Sequence, residues 1–386
     1  MKRILAVMLV LIMTLSFICT AFAETTFSRF SVPNTEAFCF VNNLKVGLNL
    51  GNTFDAYDEN VANELDYETV WCGVKTTPEM IHAIKAAGFQ TIRLPVSWHN
   101  HLSDTKNYII SAAWLDQVKE VVDYCMKEEM YVILNIHHDD SMDFIYPSSA
   151  KASQSVKYIT AIWSQLAETF KNYDEHLIFE SMNEPRLVGS LYEWSLNLLS
   201  PACVDAIRQI NKYNQAFVDA VRKSGGKNAS RYLLCPGYDG SVEGVINTWF
   251  TLPEDPAKND HHIMVAVHAY TPEPFAKWPA GIGGWSSKCL MDKAGVTSFM
   301  DLLYAKFIAK GIPVVIDEFG AVAKNNQSAR ADYAGFYVSC ARERGMSCLW
   351  WDNNIASGSG ERFGLLDRST LQWSYPEIAE ALVKSA

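Results

Sequence analysis

Leu177-Ile-Phe-Glu-Ser-Met-Asn-Glu-Pro185 is an apolar run that ends in an Asn-Glu pair, and Ile312-Pro-Val-Val-Ile-Asp-Glu-Phe-Gly320 is a second apolar run that ends in a glutamate. Both runs are continuously apolar rather than alternating, which is typical of parallel strands covered on both faces. Carboxylates at the tips of two buried strands suit the hydrolysis of glycosidic bonds, which needs one acid/base and one nucleophile. Glu184 and Glu318 are therefore the candidate catalytic residues.

Eight apolar, β-rich runs of this kind recur along the chain, at residues 46–52, 91–96, 131–138, 177–183, 232–236, 263–270, 313–319 and 347–352. Helical patterns lie between them, at residues 77–88, 114–129, 152–172, 205–224, 298–310 and 329–344. Strand and helix alternating in this way predict an α/β fold, a (β/α)8 TIM barrel. An open doubly wound sheet is the alternative, and it is less favoured because no glycine-rich phosphate loop follows the first strand.

The first residues predict a secretory signal. A basic start is followed by an apolar run up to Cys19 and by Ala21-Phe22-Ala23, a small-x-small cleavage site. The expected organisation is a signal peptide over residues 1–23, an N-terminal arm over 24–37 and one catalytic (β/α)8 domain over 38–386. We therefore expect a secreted, extracellular monomer that is not held at a membrane once the signal is cleaved near Ala23.

The charge balance bears on the kind of partner. Removing Lys2 and Arg3 with the signal leaves 31 basic residues against 43 acidic ones, a net charge of −12. Such a surface disfavours nucleic acid and anionic lipid as partners and suits an uncharged polymer.

The cysteines indicate neither a zinc site nor a redox motif, because no CxxC spacing occurs. We expect five of them to be buried as small apolar residues: Cys125, Cys203, Cys235, Cys340 and Cys348. The other three of the mature chain fall in loop-like sequence and could form a disulfide: Cys39, Cys72 and Cys289.

Polar residues cluster at the ends of the predicted strands, which is where a barrel builds its active site. They are Asn49 and Asn52, Arg93, Asn135 to Asp140, Asn183 and Glu184, His268 and Tyr270, Asp317 and Glu318, and Trp350 to Asn353. Burying such polar residues costs free energy unless they have a function, and their shared position at one end of the barrel predicts a catalytic rim.

Strand parity suggests which of these side chains face the barrel mouth. His268 and Tyr270 share parity, whereas Asp317 and Glu318 could both point inwards only at a β-bulge, and we expect only one of the Trp350–Trp351 pair to face the site. A buried Arg93 requires an anionic partner, for which Glu318 is the candidate.

Seven motifs occur in register along the chain: Asn-Leu-Gly-Asn-Thr (49–53), Thr-Ile-Arg-Leu-Pro-Val (91–96), Asn-Ile-His-His (135–138), Asn-Glu-Pro (183–185), His-Ala-Tyr (268–270), Asp-Glu-Phe-Gly (317–320) and Trp-Trp-Asp-Asn (350–353). Together they resemble glycoside hydrolase family 5, and most of all its bacterial endoglucanase/xyloglucanase branch. The resemblance covers essentially the whole mature chain. It implies a retaining barrel hydrolase that uses no cofactor and no metal.

The resemblance also implies roles for individual residues, with Glu184 as acid/base and Glu318 as nucleophile. The expected substrate-binding residues are Asn52, Arg93, His137, His138, Asn183, His268, Tyr270 and Trp351. A retaining mechanism would require the environment of Glu184 to raise its pKa. Asp317 departs from the glycine that many relatives have before the nucleophile, and it would leave the chemistry unchanged if its side chain pointed away from the mouth.

These features predict an endo-β-1,4-glucanase that acts on a plant cell-wall β-glucan: cellulose-type, mixed-linkage glucan or xyloglucan. Long loops at residues 53–76 and 271–296 would wall an open cleft, which favours internal cleavage. A xylanase or mannanase on the same fold, a non-catalytic sugar-binding barrel and a metal-dependent hydrolase using His137 to Asp140 are the alternatives.

Aromatic side chains are candidate platforms for the flat faces of sugars. Trp351 is the first candidate. Trp71, Trp98, Trp278 and Trp285 could either extend the cleft or pack within loops, and we expect Trp114, Trp163 and Trp194 to be packing residues in or near helices.

Overall fold

A computed structural model describes residues 30–386, so the predicted signal peptide and residues 24–29 of the predicted arm lie outside the described part of the chain. Eight parallel strands close into a barrel in the order β1-β10-β9-β8-β7-β6-β5-β2. Their bounds are Val46–Leu50 (β1), Thr91–Leu94 (β2), Tyr131–Asn135 (β5), Leu177–Glu180 (β6), Leu233–Ser241 (β7), Ile263–His268 (β8), Val314–Phe319 (β9) and Ser347–Asp352 (β10). The predicted TIM barrel is confirmed.

Helices follow the barrel strands and cover them. They are Glu36–Leu44 (α1), Tyr67–Val70 (α2), Pro78–Ala86 (α3), Ala112–Lys127 (α4), Ala152–Thr169 (α5), Pro201–Ser224 (α6), Val242–Ile246 (α7), Glu273–Ala276 (α8), Leu290–Lys306 (α9), Gln327–Glu343 (α10) and Pro376–Lys384 (α11). Short 3-10 turns lie at Glu64–Asp66, Gly226–Ala229 and Ile308–Lys310. Two small antiparallel ribbons, Leu102–Asp104 (β3) with Ile109–Ile110 (β4) and Leu366–Asp367 (β11) with Gln372–Trp373 (β12), lie outside the barrel.

Local sequence explains where several of these elements begin. The Thr77 side chain accepts a hydrogen bond from the Met80 backbone N–H and caps α3, as expected from Thr77-Pro78-Glu79. Helix α9 begins eight residues earlier than predicted, which shortens the loop after β8. Its first turn exposes Leu290 and Met291, by 77% and 80%, so no buried apolar stripe marks that start in the sequence.

The amino end of the barrel is filled by apolar side chains. Helix α1 contributes four residues to a buried cluster with Ile133, Ile178 and Leu349 of the strands, and Phe40 stacks on Tyr232 with ring centroids 3.6 Å apart. Because this end is plugged, polar groups can gather only at the opposite, carboxyl end of the strands.

Three strand pairs shift register near that carboxyl end. The shifts lie between Pro236 and Ser241 of β7, between Ala266 and His268 of β8, and between Cys348 and Trp350 of β10. Register shifts of this kind let neighbouring residues break the strict alternation of side chains.

All eight cysteines of the described residues are free. The five that were predicted to be buried are buried. Cys39 was expected in a loop, but it lies on an exposed part of α1, because the flanking apolar residues form a helical stripe toward the barrel floor. Among residues 30–386 no helix combines the length and apolarity that crossing a membrane takes.

Candidate active site

Glu184 and Glu318 converge at the carboxyl end of the barrel. Glu318 lies on β9, and Glu184 follows β6. His268, at the end of β8, joins them: its Nδ1 is 2.8 Å from Glu184 Oε1 and 3.5 Å from Glu318 Oε2. One carboxylate oxygen of each glutamate and one imidazole nitrogen all lie within 4.8 Å of one another. The two candidate catalytic carboxylates thus form one site.

Both oxygens of Glu318 accept hydrogen bonds. Arg93 Nη1 donates to Oε1 at 2.6 Å, and the Tyr270 hydroxyl donates to Oε2 at 2.9 Å. Burial and the nearby charge of Glu318 raise the pKa of Tyr270 well above its ordinary value, so the phenol keeps its proton. The predicted Arg93–Glu318 contact is therefore present, and it fixes the carboxylate in place.

Arg93 has a second carboxylate partner that the sequence analysis missed. Glu180 of β6 accepts from Arg93 Nε at 2.6 Å and from Nη2 at 2.7 Å, and both side chains are fully buried. The remaining donors reach Asn49 Oδ1 at 2.9 Å and Asn183 Oδ1 at 2.7 Å. A glutamate inside the apolar run 177–183 was the available signal, because a buried carboxylate needs a cation.

Asp317 points into the barrel rather than away from the mouth. Its Oδ2 is 3.9 Å from Arg93 Nε and its Oδ1 is 3.6 Å from His268 Nε2, although neither oxygen has a hydrogen-bond partner among residues 30–386. Burial raises the pKa of Asp317 to about 8. The register shifts on both sides of β9 allow Asp317 and Glu318 to face inwards together, as expected only for a bulge.

The resting ionisation of Glu184 differs from the expectation. Burial alone would raise the pKa of Glu184, but the hydrogen bond from His268 and the charges of His268, Arg186 and Lys277 lower it to about 2. Burial opposes the charged form of His268, yet the charge of Glu318 and the bond to Glu184 raise the pKa of His268 to about 9. The prediction of a raised pKa for Glu184 is wrong, because cations from three separate elements surround the carboxylate.

The cavity at this site has a volume of about 180 Å³. Seven of the predicted residues line it together with four that were not predicted: His137, His138, Asn183, Glu184, Tyr270, Glu318 and Trp351 are joined by Trp194, Lys277, Glu361 and Phe363. Arg93 and His268 lie beneath these residues. Asn52 reaches the same rim, but its amide donates to the Asn353 carbonyl at 3.2 Å, and Asn52 is not among the lining residues.

The contact with Asn135 determines the tautomer of the His137 ring. Asn135 accepts a hydrogen bond from Val96 N–H at its Oδ1, so its NH2 group faces His137 Nδ1 at 3.1 Å. Burial and the charge of His138 lower the pKa of His137, which leaves a neutral ring with its proton on Nε2. This ring is parallel to Trp351, with centroids 5.9 Å apart.

Side-chain exposure separates the tryptophans that could contact a sugar from those that pack in the interior, and Trp194 falls in the group opposite to the predicted one. Trp194 was expected to pack, but it lies in a turn region, is 56% exposed and lines the cavity, with the Arg186 guanidinium 4.0 Å from its ring centroid. Trp98 and Trp285 are buried and cannot act as platforms, whereas Trp71 and Trp278 are 39% and 51% exposed. Trp194 was predicted to pack in or near a helix, because apolar residues in the loop after β6 recur at helix-like spacing. That loop does not form a long helix, so the prediction is wrong.

The metal-site alternative has little support in the donor geometry. Asp139 accepts from the Trp98 and His99 backbone N–H groups and from Tyr158, and Asp140 pairs with Arg186. Both carboxylates therefore have other partners and are not available to bind a metal together with His137 and His138. Asp55 does lie near His137 and His138, but its oxygens already accept from two backbone N–H groups.

A model of the cellulase family, glycosyl hydrolase family 5, matches residues 54–357. The chain belongs to glycoside hydrolase family 5. The structure of a GH5 family lichenase from Caldicellulosiruptor sp. F32 is 52% identical, with a TM-score of 0.90 over 92% of this chain and 96% of that one. A xyloglucan-specific endo-β-1,4-glucanase of this family from a metagenomic library is 39% identical, with a TM-score of 0.82 over 91% of this chain and 99% of that one.

Two curated relatives are longer than this family 5 chain. Endoglucanase A of Clostridium longisporum is 42% identical over 350 residues, which are 89% of this chain and 65% of that protein. Cellulase/esterase CelE of Acetivibrio thermocellus is 39% identical over 351 residues, which are 91% of this chain and 40% of that protein. The chain thus spans about two thirds and two fifths of these two relatives.

Proposed function

We propose that this family 5 chain is a retaining endo-β-1,4-glucanase that hydrolyses internal bonds of β-glucans. The observation that carries the proposal is the convergence of Glu184 and Glu318, whose nearest carboxylate oxygens lie within 4.8 Å in a cavity walled by Trp351. Retaining enzymes hold their two carboxyl groups about 5–5.5 Å apart, whereas inverting enzymes need about 6.5–9.5 Å to admit a water.

In this mechanism Glu318 attacks the anomeric carbon while Glu184 protonates the departing oxygen. Arg93 and Tyr270 hold Glu318 by both oxygens, so the nucleophile is oriented before substrate arrives. Water then releases the glycosyl-enzyme, with Glu184 acting as the base.

The proton for the acid step is stored next to Glu184. His268 carries it on Nδ1, 2.8 Å from Glu184 Oε1, so a single transfer converts the ion pair into a neutral imidazole and a carboxylic acid. Binding of a sugar excludes water from the cavity and weakens the hydration of both ions, which favours that neutral pair.

The substrate class follows from the cavity walls and the relatives. Trp351 and Trp194 offer apolar faces to pyranose rings, and the net charge suits a neutral polymer. A mutant of the Caldicellulosiruptor lichenase has been solved in complex with cellotetraose. We therefore assign the plant cell-wall β-glucans as substrates: cellulose-type, mixed-linkage or xyloglucan chains.

The decisive test compares Glu318→Gln and Glu184→Gln with the wild type on carboxymethyl-cellulose, barley glucan, xyloglucan, xylan and mannan. The wild type should lower the viscosity of a β-1,4-glucan while few reducing ends appear, and both variants should lose roughly 10⁴-fold or more in rate. Glu243→Gln, at an exposed position on α7, is the matched control and should keep full activity.

Two outcomes would overturn the proposal. An α-anomeric first product, detected by proton NMR, would show inversion, and cleavage of xylan or mannan alone would refute the substrate class. We also propose secretion, on the strength of the signal-like residues 1–23, and separately a monomeric state. A mature N-terminus near Glu24 in the culture supernatant, and elution at the monomer mass, would agree with them.

A further inference from the structure

Strand β7 contains a bulge beside the acid/base. Pro236 pairs with Ala266 and Ser241 pairs with His268, so the residues 237–240 of β7 face the single residue Val267 of β8. Asp239 in this bulge has a φ of 58°, a left-handed conformation that non-glycine residues seldom adopt. Bulges beside active sites re-aim side chains, and strained residues tend to persist where function requires them.

The bulge is tied to the residues that surround Glu184. The Asp239 backbone N–H donates to the carbonyl of Pro185 at 3.0 Å, directly after the acid/base. The next residue, Gly240, packs so closely on the His268 ring that an added Cβ would lie 3.1 Å from it. Asp239 Oδ1 is buried and has no hydrogen-bond partner among residues 30–386.

The charges that face this carboxyl come from every neighbouring element. Glu184 and Arg186 follow β6, His268 ends β8, and Lys277 follows α8. Burial, and then the charge of Glu184, raise the pKa of Asp239 to about 8. Glu184 itself is also within range of other ionisable groups on neighbouring loops: Asp140, Tyr270 and Glu361.

We propose that Asp239 is a positioning residue for the acid step, a second carboxyl that keeps a proton on the Asp239–Glu184 pair. This inference rests on the proposed function. Two carboxyl groups in one low-dielectric site cannot both ionise freely, so they titrate as a pair that retains one proton. The cations His268, Arg186 and Lys277 alone would hold Glu184 ionised, and at alkaline pH, where Asp239 ionises, its repulsion opposes them.

The test is the pH dependence of kcat/KM for the full chain and its Asp239→Asn variant, measured on barley β-glucan and on dinitrophenyl cellobioside. Asparagine tolerates left-handed backbone, so the substitution removes the charge and leaves the bulge intact. On the glucan, whose leaving group needs a proton, the alkaline decline in kcat/KM of the variant should begin about 1 pH unit lower than that of the wild type. On the activated substrate, which needs no proton, wild type and variant should have the same limb.

Glu193→Gln is the matched control. Glu193 Oε1 lies 3.5 Å from Arg186 Nε, so this variant also alters the charge around Arg186, but it does not face Glu184, and its profile should match the wild type.

An unshifted limb in Asp239→Asn, or an equal shift on both substrates, would overturn the inference while the glucanase activity stands. A wild type that cleaves no β-1,4-glucan would overturn the proposed function and this inference together. Thermal unfolding checks that the variant is folded, and if it is not, the same comparison is made with Asp239→Ser.

Discussion

Arg93→Met should cost both stability and activity, because Arg93 links four buried side chains. Its guanidinium reaches Glu180 and Glu318 at 2.6–2.7 Å and Asn49 and Asn183 at 2.7–2.9 Å. Methionine fills much of the same volume but carries no charge. The variant therefore keeps the packing and leaves two carboxylates without their cation, with side-chain exposures of 0% and 7%.

Breaking a buried ion pair from one side costs about 3–5 kcal/mol. The unfolding entropy of a chain of this length is roughly 0.8 kcal/mol/K, so the Tm should fall by about 4–6 °C. The cost should also depend on pH. Without Arg93, the two buried carboxyls bind protons more tightly in the folded than in the unfolded chain, so the variant becomes more stable relative to wild type as the pH falls.

Urea unfolding at pH 5, 6, 7 and 8 measures this difference, and kcat on a soluble β-glucan measures the loss of nucleophile orientation. Arg222→Met is the matched control, because Arg222 is a buried arginine with one bidentate partner, Asp255, at 2.9 and 3.0 Å. It lies away from the site, so it should lose stability and retain kcat. A loss below about 1 kcal/mol for Arg93→Met, or a loss that is the same at every pH, would refute the reasoning.

Two further variants follow from the site. Asp317→Asn should flatten the pH dependence of stability, because a carboxyl whose pKa is raised from 3.8 to about 8 costs stability as the pH rises between these values. Urea unfolding from pH 4 to 9 measures the free energy of unfolding of both proteins. Curves of that free energy against pH that run parallel for variant and wild type would contradict the prediction. Trp194→Ala should raise KM on β-glucan by about tenfold, equivalent to ~1.4 kcal/mol, with little change in kcat, because an apolar wall of the cavity binds the sugar equally in the ground state and the transition state. Trp249→Ala is its control. Trp249 is 40% exposed and its ring lies 4.5 Å from the Arg208 guanidinium, but it does not line the cavity. Equal KM values for the two variants would show that Trp194 contacts no substrate.

The sequence predicted the barrel and the two glutamates because both follow from a local pattern. Each barrel strand is a continuous apolar run, and each glutamate stands where such a run ends. The pattern does not extend to Glu180, which lies inside a run and is recognisable only once Arg93 is placed beside it. The start of α9 was also missed, because its first turn is exposed and gives no periodic signal.

Ionisation could not be predicted in the same way. The pKa of Glu184 depends on His268, Arg186 and Lys277, which come from different elements and meet only in the folded chain. A sequence argument can state that an acid catalyst needs a proton, but it cannot say which neighbouring group holds that proton. Our proposal places it on His268, whose Nδ1 lies 2.8 Å from Glu184 Oε1.

The register shifts connect the fold to this chemistry. A regular strand turns every second side chain away from the barrel mouth, so one strand end supplies at most one or two functional groups. The shifts at β7, β8 and β10 relax that limit, and they bring Asp239 beside Glu184 and let Asp317 face inwards with Glu318. Burial raises the pKa of both additional carboxyls to about 8, so each of them keeps its proton near neutral pH. In the proposed mechanism, the bulges therefore gather several titratable groups around Glu184, and the proton that moves as substrate binds is the one between His268 and Glu184.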